Sequence, residues 1–381
     1  MRVLVTAVPA WGHIGPVLPL GRALSAAGHD VRVATHADRH ELIAAAGLTA
    51  VSAGMTEIDM VTERPRRMPE TVGRPNVEWA YRMFIEIMAP VMRADLSSFA
   101  ASWRPGLIIH EEGEYAGPVV ATELGVRWLT HGWGSPLPPI EDLRRLEQAA
   151  GPLWHDAGLD VAPAAGLYAH GLIDPCPPFL QAERPRVSVA WPVRPEPVYQ
   201  SELADDLDFN PPARLAYVGF GTVPLYANAP TQVAMAVDAC VSRGFRTVVT
   251  TTDEALRDQL QSAHGAQVVV RDFVSLAGLF GRCDVAVCHG GAGTVLAALS
   301  AGVPLVLLPR GAPSQLRMAA ACQASGVAVI PDATSVRALA NAVDAATTNA
   351  SRERARDARR RISSMPPASE LVTNVEELVR V

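Results

Sequence analysis

The sequence predicts an α/β protein made of two doubly wound parallel-sheet domains. Short apolar runs alternate with helical segments along the chain, which is typical of parallel sheets covered by helices. A proline-rich stretch at residues 175–197 interrupts this alternation, which then starts again. In addition, 381 residues are too many for one ordinary hydrophobic core, so two domains are expected.

The first half opens with a strand at residues 3–8, a loop at 9–15 and a helix at 16–27. A second strand at 31–34 and a helix at 39–46 follow. Strand, helix and strand at this spacing indicate a parallel, doubly wound sheet. Later strands of the same sheet are predicted at 107–109 and 128–129.

The second half repeats the pattern and indicates a second parallel sheet. Its strands are predicted at residues 215–218, 247–250, 267–270, 285–288 and 305–308. We therefore divide the chain into a first domain at 1–190, a linker at 191–213, a second domain at 214–365 and a C-terminal segment at 366–381.

The most informative motif follows the strand at 285–288 and leads into an apolar helix. It consists of His289, Gly290, Gly291, Ala292, Gly293 and Thr294. Glycines let the backbone approach an anion, and the first N–H groups of a helix point at it with the helix dipole helping. The motif therefore predicts a phosphate site. The alternative is an ordinary tight turn, but the flanking imidazole and hydroxyl favour the phosphate because both can donate to its oxygens.

The composition excludes several classes of function. The net charge of −6 argues against a nucleic-acid partner, and the arginines at 352–361 alternate with Glu353 and Asp357 as on a solvated helix face. The sequence contains no lysine, which excludes Schiff-base enzymes, pyridoxal-phosphate enzymes and nucleotide loops that need a lysine. The five cysteines form no CxxC pair and are interpreted as core thiols.

The sequence shows no signal-peptide pattern and no apolar run long enough to span a bilayer, so we expect a cytoplasmic protein without a membrane partner. Whether it forms a homodimer is left open.

A dinucleotide-binding dehydrogenase has a similar plan but a different fingerprint. That fold needs G-x-G-x-x-G after the first strand and an acidic residue at the end of the second. Here the first loop contains only Gly12 and Gly15, and the second strand ends at Thr35 and His36. A later G-x-G at 219–221 is followed by Pro224 instead of the third glycine.

The motifs resemble those of GT-B glycosyltransferases of the family that acts on plant and actinobacterial secondary metabolites. The resemblance covers essentially the whole chain and is closest to the bacterial enzymes that attach deoxysugars to polyketides. It rests on Gly12-His13, Pro16, Pro19-Leu20, Ala27-Gly28-His29, His110-Glu111, His131-Gly132-Trp133-Gly134, Phe220-Gly221-Thr222 and the run from His289 to Gln315.

The resemblance implies two Rossmann-like domains that face a cleft. The domain at 1–190 would bind the acceptor, the domain at 214–365 would bind a nucleotide sugar, and the helix at 366–381 would cross back to the first domain. The implied donor-binding residues are Gly221, Thr222, Phe273, Val274, His289, Gly291, Ala292, Gly293, Thr294, Ser314 and Gln315.

The chain departs from the family pattern at two positions in or beside the implied donor site. Ser275 stands where the family often has proline. Ser314 stands where it often has an aspartate that contacts hydroxyl groups of the donor sugar. Loss of that carboxylate favours a deoxygenated sugar over glucose.

The reaction that the resemblance implies needs a base for the acceptor hydroxyl. His13 follows the first strand, where open α/β sheets place ligands, and imidazole can take a proton near neutral pH. An alternative is that this histidine is a loop or capping residue. Glu111 matches the family's acidic partner, but Glu112 is adjacent, and only one of the two can face His13.

The acceptor surface is predicted in the first domain, where six of the ten methionines lie between residues 55 and 92. Thioethers and aromatic rings suit a bulky apolar acceptor. The candidates are Trp11, Met55, Met60, Trp79, Met83, Phe84, Met88 and Trp133. The alternative is an ordinary amphipathic helix with Met83, Ile87 and Val91 facing the core.

The resulting hypothesis is an inverting transfer of a sugar from a dTDP- or UDP-sugar to a hydrophobic aglycone such as a polyketide. We expect no cofactor beyond that co-substrate and no metal, and we interpret Asp206 and Asp208 as surface residues. Two alternatives stay open, a GT-B nucleotide-sugar epimerase and a non-catalytic protein that binds sugar nucleotide or aglycone.

Overall fold

The computed structural model describes residues 1–72, 79–181, 187–196, 214–221 and 230–380. The chain folds into two compact units. The first comprises residues 1–198 together with 365–381, and the second comprises residues 199–364. The last helix, Val372–Arg380, therefore belongs to the first unit, although the helices before it in sequence belong to the second.

The first unit is built on a parallel sheet. Within the described residues, its strands lie in the order β3-β2-β1-β4-β5-β6-β7. They are β1 (Arg2–Thr6), β2 (Asp30–Thr35), β3 (Thr49–Ser52), β4 (Leu107–Glu111), β5 (Arg127–His131), β6 (Leu172–Asp174) and β7 (Ala190–Pro192).

Helices connect these strands and cover the sheet. They are α1 (Trp11–Ala26), α2 (His40–Ala45), α3 (Glu57–Arg67), α4 (Ala80–Arg82), α5 (Ala89–Trp103), α6 (Ala116–Leu124) and α7 (Ile140–His155). A π-helical segment, Met83–Met88, joins α4 to α5.

The second unit has the same plan. Its described strands lie in the order β10-β9-β8-β11-β12-β13. They are β8 (Leu215–Gly219), β9 (Arg246–Thr250), β10 (Val268–Arg271), β11 (Val285–Cys288), β12 (Leu305–Leu307) and β13 (Ala328–Val329). The helices that follow in the chain are α8 (Pro230–Ser242), α9 (Glu254–His264), α10 (Leu276–Phe280), α11 (Ala292–Ala301), α12 (Pro313–Ala324), α13 (Val336–Ala346), α14 (Asn349–Ser363) and α15 (Val372–Arg380).

The predicted fold class is confirmed, with one difference that matters for the site. The loop predicted at 9–15 is mostly helical, because α1 begins at Trp11 and runs through Pro16 and Pro19. The φ of proline is compatible with a helix, but each interior proline removes one backbone donor and crowds the carbonyl four residues earlier. The helix nevertheless continues through both prolines. His13 therefore lies in the first turn of a helix and not in a loop. Three short strands of the first unit, β3, β6 and β7, were not predicted because they carry no long apolar run.

Both sheets reverse their strand order at one place. In the first unit β1 pairs with β2 on one side and β4 on the other, and in the second unit β8 pairs with β9 and β11. Ligands of open α/β sheets bind at the carboxyl ends of the strands at such a reversal. No described helix is both long and apolar enough to cross a membrane.

Candidate functional site

The strand reversal of the first unit brings His13 and Glu111 together. His13 follows β1, and Glu111 is the last residue of β4, which pairs in parallel with β1. The imidazole Nδ1 lies 2.9 Å from the Glu111 Oε2 atom. Two residues that are far apart in sequence therefore form one hydrogen-bonded pair.

The backbone fixes the Glu111 carboxylate in place. It accepts hydrogen bonds from the N–H of Gly113 at 2.7 Å and from the N–H of Val8 at 3.3 Å. The side chain of Glu111 is 1% exposed. Because both oxygens are engaged, the carboxylate holds the imidazole ring in one orientation.

Glu112 has a different partner. Its carboxylate accepts a hydrogen bond of 2.7 Å from the hydroxyl of Tyr168, which is itself buried. The structure thus answers the question that the sequence left open, because Glu111 and not Glu112 is bonded to His13.

The surroundings of His13 raise its pKa above the ordinary value. Burial alone would lower the pKa, but the charge and hydrogen bond of Glu111, with smaller contributions from Glu57 and Glu112, outweigh it. Since Nδ1 is bonded to the carboxylate, the other ring nitrogen, Nε2, is the one that can take a proton. Among the described residues, no hydrogen-bond partner contacts that nitrogen.

Two aromatic rings enclose the imidazole. The Trp133 ring meets it edge-on with a centroid distance of 4.6 Å, and the Phe84 ring lies at 5.5 Å. Phe84 belongs to the π-helical segment, a type of helix that is frequent at functional sites. The imidazole is therefore flanked by apolar rings on two sides.

Gly113 is a position of the candidate site that the sequence analysis missed. A Cβ atom at this residue would lie 2.8 Å from the Trp133 ring and 2.9 Å from the imidazole of His13. No side chain fits there without moving one of the two rings. No local sequence signal distinguishes this glycine, because the contact is made by residues remote in the chain.

We expect Gly113→Ala to lower kcat by about tenfold or more, because the added methyl group displaces His13 and misplacement of about 1 Å can cost 10²-fold. The matched control is Gly106→Ala, whose Cβ would meet nothing closer than 3.8 Å. Steady-state kinetics of both variants make the comparison. Equal kcat values for the two variants would contradict the prediction.

The predicted acceptor residues fall into two groups. Met55, Phe84 and Met88 line a small apolar pocket together with Met92 and Tyr115, beside Gly113. In contrast, the side chains of the second group are each 2% exposed and belong to the core packing; they are Met60, Trp79 and Met83. These three are corrected from acceptor surface to core, because their side chains are almost completely buried.

Trp11 lies in the first turn of α1 and is half-buried. The Arg39 guanidinium stands 5.9 Å from the centre of its ring, and the Nε of the same arginine donates a 2.6 Å hydrogen bond to the Pro9 carbonyl. Trp11 thus lies in the same helical turn as His13, and the Trp133 ring contacts His13 directly.

The second unit places His289 at the carboxyl end of β11, opposite the end of β8. Its ring lies between two glycines. A Cβ atom at Gly291 would lie 2.4 Å from the imidazole Nε2, and one at Gly221 would lie 2.8 Å from the ring. Both positions therefore require glycine if the ring is to stay where it is.

The same turn leads into α11, whose N-cap is Gly291. Among the described residues no side chain caps this helix end, so its first N–H groups are available to an anion. His289 adds an independent observation, because its Nδ1 is buried and has no hydrogen-bond partner within the described part of the chain. A diphosphate would satisfy both the helix end and this nitrogen.

His289 is neutral at pH 7 in the absence of ligand. Burial lowers its pKa to about 4 and the charge of Arg310 adds to this effect, whereas a hydrogen bond to the Gly219 backbone acts in the opposite direction. A neutral ring binds a phosphate oxygen through an N–H donor, and the bound anion would in turn favour protonation. The imidazole is thus a hydrogen-bond donor here and not a fixed cation.

The remaining predicted donor residues surround this turn or lie beyond it. Gln315 is buried, and its Oε1 accepts a 2.8 Å hydrogen bond from the N–H of Arg310. Phe273 is 38% exposed, whereas Val274 is 3% exposed. The others are half-buried or exposed on the turn, on α11 and at the start of α12; they are Ala292, Gly293, Thr294 and Ser314. Thr222 lies outside the described residues, as do Asp206 and Asp208.

Two family models match this chain. The N-terminal domain model of erythromycin biosynthesis protein CIII-like proteins matches residues 22–190, and the C-terminal domain model matches residues 237–378. L-demethylnoviosyl transferase from Streptomyces niveus is 34% identical over 81% of this chain and 79% of its own length. Elloramycin glycosyltransferase ElmGT from Streptomyces olivaceus is 30% identical over 89% of each chain.

The fold has a solved counterpart in glycosyltransferase SsfS6 from Streptomyces sp. SF2575, complexed with thymidine diphosphate. That structure has a TM-score of 0.78, is 24% identical and covers 99% of both chains. Because both domain models match and the sequence similarity to named transferases extends over most of the chain, the protein belongs to the EryCIII-like family and is a glycosyltransferase of the GT-B fold.

Proposed function

We propose that this glycosyltransferase moves a deoxysugar from a dTDP- or UDP-sugar to a hydroxyl group of a hydrophobic acceptor, such as a polyketide, with inversion at the anomeric carbon. The observation that carries the proposal is the His13–Glu111 pair, in which Nδ1 is bonded to a buried carboxylate. The imidazole lies beside Gly113, and Gly113 lines an apolar pocket.

In the proposed reaction Nε2 of His13 takes the proton of the acceptor hydroxyl. The acceptor oxygen then forms a bond to the anomeric carbon while the bond from that carbon to the diphosphate oxygen breaks. The nucleoside diphosphate leaves with the electron pair. Glu111 keeps the imidazole in the tautomer with the proton on Nδ1 and stabilises the imidazolium that forms.

The donor site is proposed at the N-terminus of α11. The helix N–H groups and His289 would bind the diphosphate and stabilise the negative charge that develops on it as it leaves. The exposed ring of Phe273 is a surface on which a nucleotide base could stack. SsfS6 was solved with thymidine diphosphate, which makes this nucleotide the first to test.

The proposal is tested by incubating the protein with dTDP- and UDP-deoxysugars of known anomeric configuration and a series of polycyclic hydroxylated acceptors. Mass spectrometry detects the glycoside, and the NMR coupling at the anomeric proton gives its configuration. A glycoside of opposite anomeric configuration supports the proposal. A product with retained configuration would contradict the single-displacement mechanism.

Replacement of Glu111 should alter both rate and pH dependence. The carboxylate raises the pKa of His13, so Glu111→Gln should lower that pKa and move the acid limb of the kcat–pH profile to lower pH. The rate at the optimum should fall by about 10²-fold or more, because the imidazolium loses its partner.

The control for this experiment is Glu123→Gln, which removes an exposed carboxylate paired with Arg93 in the same unit. That variant should keep both the wild-type rate and the wild-type pH profile. An acid limb that stays in place in Glu111→Gln would show that the carboxylate does not act on the titrating group.

A further inference from the structure

A network of buried hydrogen bonds surrounds the turn at residues 110–114. Nδ1 of His110 donates a 2.7 Å hydrogen bond to the Glu114 carbonyl, which fixes the proton on this nitrogen because a carbonyl only accepts. Burial lowers the pKa of His110 to about 4, so the ring is neutral and its Nε2 is an acceptor. That nitrogen accepts a 2.8 Å hydrogen bond from the hydroxyl of Thr130.

Tyr168 extends the network by two bonds. Its backbone N–H donates to Oγ1 of Thr130 at 2.9 Å, and its hydroxyl donates to Oε1 of Glu112 at 2.7 Å. Burial raises the pKa of Tyr168, so its hydroxyl keeps the proton that it donates. The side chains of the network are all buried, with at most 7% exposure; they belong to His110, Glu112, Glu114, Thr130 and Tyr168.

Tyr168 is held in a backbone conformation that its residue type disfavours. Its φ of 63° lies in the left-handed region, as do those of Ala164 and Ala165 shortly before it, at 53° and 59°. Such conformations persist where the surrounding contacts fix them, and they cluster at functional sites. The strain is an observation independent of the hydrogen bonds, and it favours a specific role for the tyrosine.

Glu112 lies between the two residues that fix the His13 imidazole. Glu111, which precedes it, is bonded to Nδ1 of the imidazole at 2.9 Å. Gly113, which follows it, donates its N–H to the Glu111 carboxylate at 2.7 Å and packs against the imidazole. A displacement of Glu112 would therefore be transmitted through the backbone to both residues.

Glu112 also contacts the segment that leads to Trp133. Its backbone N–H donates a 3.0 Å hydrogen bond to the His131 carbonyl. A Cβ atom at Gly132 would lie 3.8 Å from Oε2 of Glu112. Trp133 comes next in the chain, and its ring lies 4.6 Å from that of His13. Glu112 thus supports two of the segments that surround the imidazole.

We propose, on the basis of the function proposed above, that Tyr168 is a positioning residue of the transfer reaction, whose hydroxyl holds Glu112 and thereby the segments around His13. A hydroxyl-to-carboxylate hydrogen bond is charge-assisted and stronger than one between neutral groups. Since misplacement of a catalytic group by about 1 Å can cost 10²-fold in rate, a residue that acts through another can set the rate.

The first test is Tyr168→Phe, which removes only the hydroxyl group. We expect kcat to fall by about tenfold or more, whereas KM for the donor should change by about twofold or less because the proposed donor residues belong to the second unit. The matched control is Thr122→Val in the same unit, which removes a hydroxyl that donates a 2.8 Å hydrogen bond to the Pro118 carbonyl. This control should keep the wild-type kcat.

The second test measures the pKa of His13 by NMR in the protein without substrate. The Cε1–H signal of His13 is followed against pH and is assigned by its absence in His13→Ala. Burial lowers this pKa, whereas the neighbouring carboxylates raise it; in decreasing order they are Glu111, Glu57 and Glu112. Because Tyr168→Phe loosens the bond to Glu111, the pKa of His13 should fall in this variant and stay unchanged in Thr122→Val.

Substitutions of Glu112 separate position from charge. Glu112→Gln keeps an oxygen that can accept from the Tyr168 hydroxyl, so its kcat should stay close to that of the wild type. Glu112→Ala removes the acceptor and should lower kcat as much as Tyr168→Phe does. The double variant Tyr168→Phe/Glu112→Ala should lose little more than either single variant, because both break the same hydrogen bond. Binding of thymidine diphosphate and a cooperative unfolding transition establish that each variant is folded.

A Tyr168→Phe protein that matches Thr122→Val in both kcat and the pKa of His13 would overturn the proposal. Equal losses of kcat in Glu112→Gln and Glu112→Ala would also overturn it, since the charge of Glu112 and not its position would then matter. The NMR titration does not depend on sugar transfer. If no glycoside forms but the pKa of His13 falls in Tyr168→Phe, the transfer reaction is wrong and the positioning of His13 by Tyr168 stands.

Discussion

Replacement of His13 by alanine is expected to lower kcat by about 10²–10⁴-fold, the range that general base catalysis contributes. The imidazole Nδ1 is bonded to the buried carboxylate of Glu111, and its Nε2 has no partner among the described residues. Without it, the acceptor hydroxyl must lose its proton to water. Steady-state kinetics at saturating donor measure the effect.

Binding of thymidine diphosphate to His13→Ala should stay at the wild-type level, because the proposed donor residues belong to the second unit. The control is His155→Ala, which replaces an exposed histidine at the end of α7 in the same unit. A His13→Ala enzyme that keeps more than about a tenth of the wild-type kcat would rule out His13 as the base.

The second large effect is expected from Gly291→Ala. The added Cβ atom would lie 2.4 Å from Nε2 of His289, so either the imidazole or the turn must move. Either change misaligns the helix N–H groups of α11 and the imidazole against a diphosphate. Loss of two charge-assisted hydrogen bonds corresponds to a loss of affinity on the order of 10²-fold.

Calorimetric titration with thymidine diphosphate, uridine diphosphate and NAD measures this loss of affinity. It also identifies which nucleotide the protein prefers. The matched control is Gly281→Ala, at a position where an added Cβ would meet nothing closer than 3.8 Å. Wild-type affinity in Gly291→Ala would place the diphosphate elsewhere. Binding of NAD alone would contradict the proposed donor.

Local sequence patterns predicted most of the strands and helices that carry the His13–Glu111 pair and the turn at His289. The apolar run at 285–288 matches β11 residue for residue, and the small-residue turn after it leads into a helix as expected. Such features depend on the chemistry of neighbouring residues, which is fully present in the sequence. The start of α1 was misplaced because Pro16 looked like the first residue of a helix, whereas the helix begins a turn and a half earlier, at Trp11.

The methionine-rich region shows the limit of a prediction from composition. Met55 and Met88 line a small apolar pocket. The same composition also included Met60 and Met83, which pack in the core. The residue type determines what a side chain can contact, but the fold determines whether that side chain faces the core or the surface.

The amino-acid sequence was sufficient for the fold class, the family and the identity of His13 and the glycine-rich turn as candidates, because these follow from local spacing and from motifs. Only the folded chain assigned Glu111 rather than Glu112 to His13, enclosed that histidine between Trp133 and Phe84, and placed Gly113 against both the histidine and Trp133. Each of these contacts joins segments that are remote in sequence and meet at the carboxyl edge of a parallel sheet. Their geometry is set by strand order and packing, which no local pattern encodes.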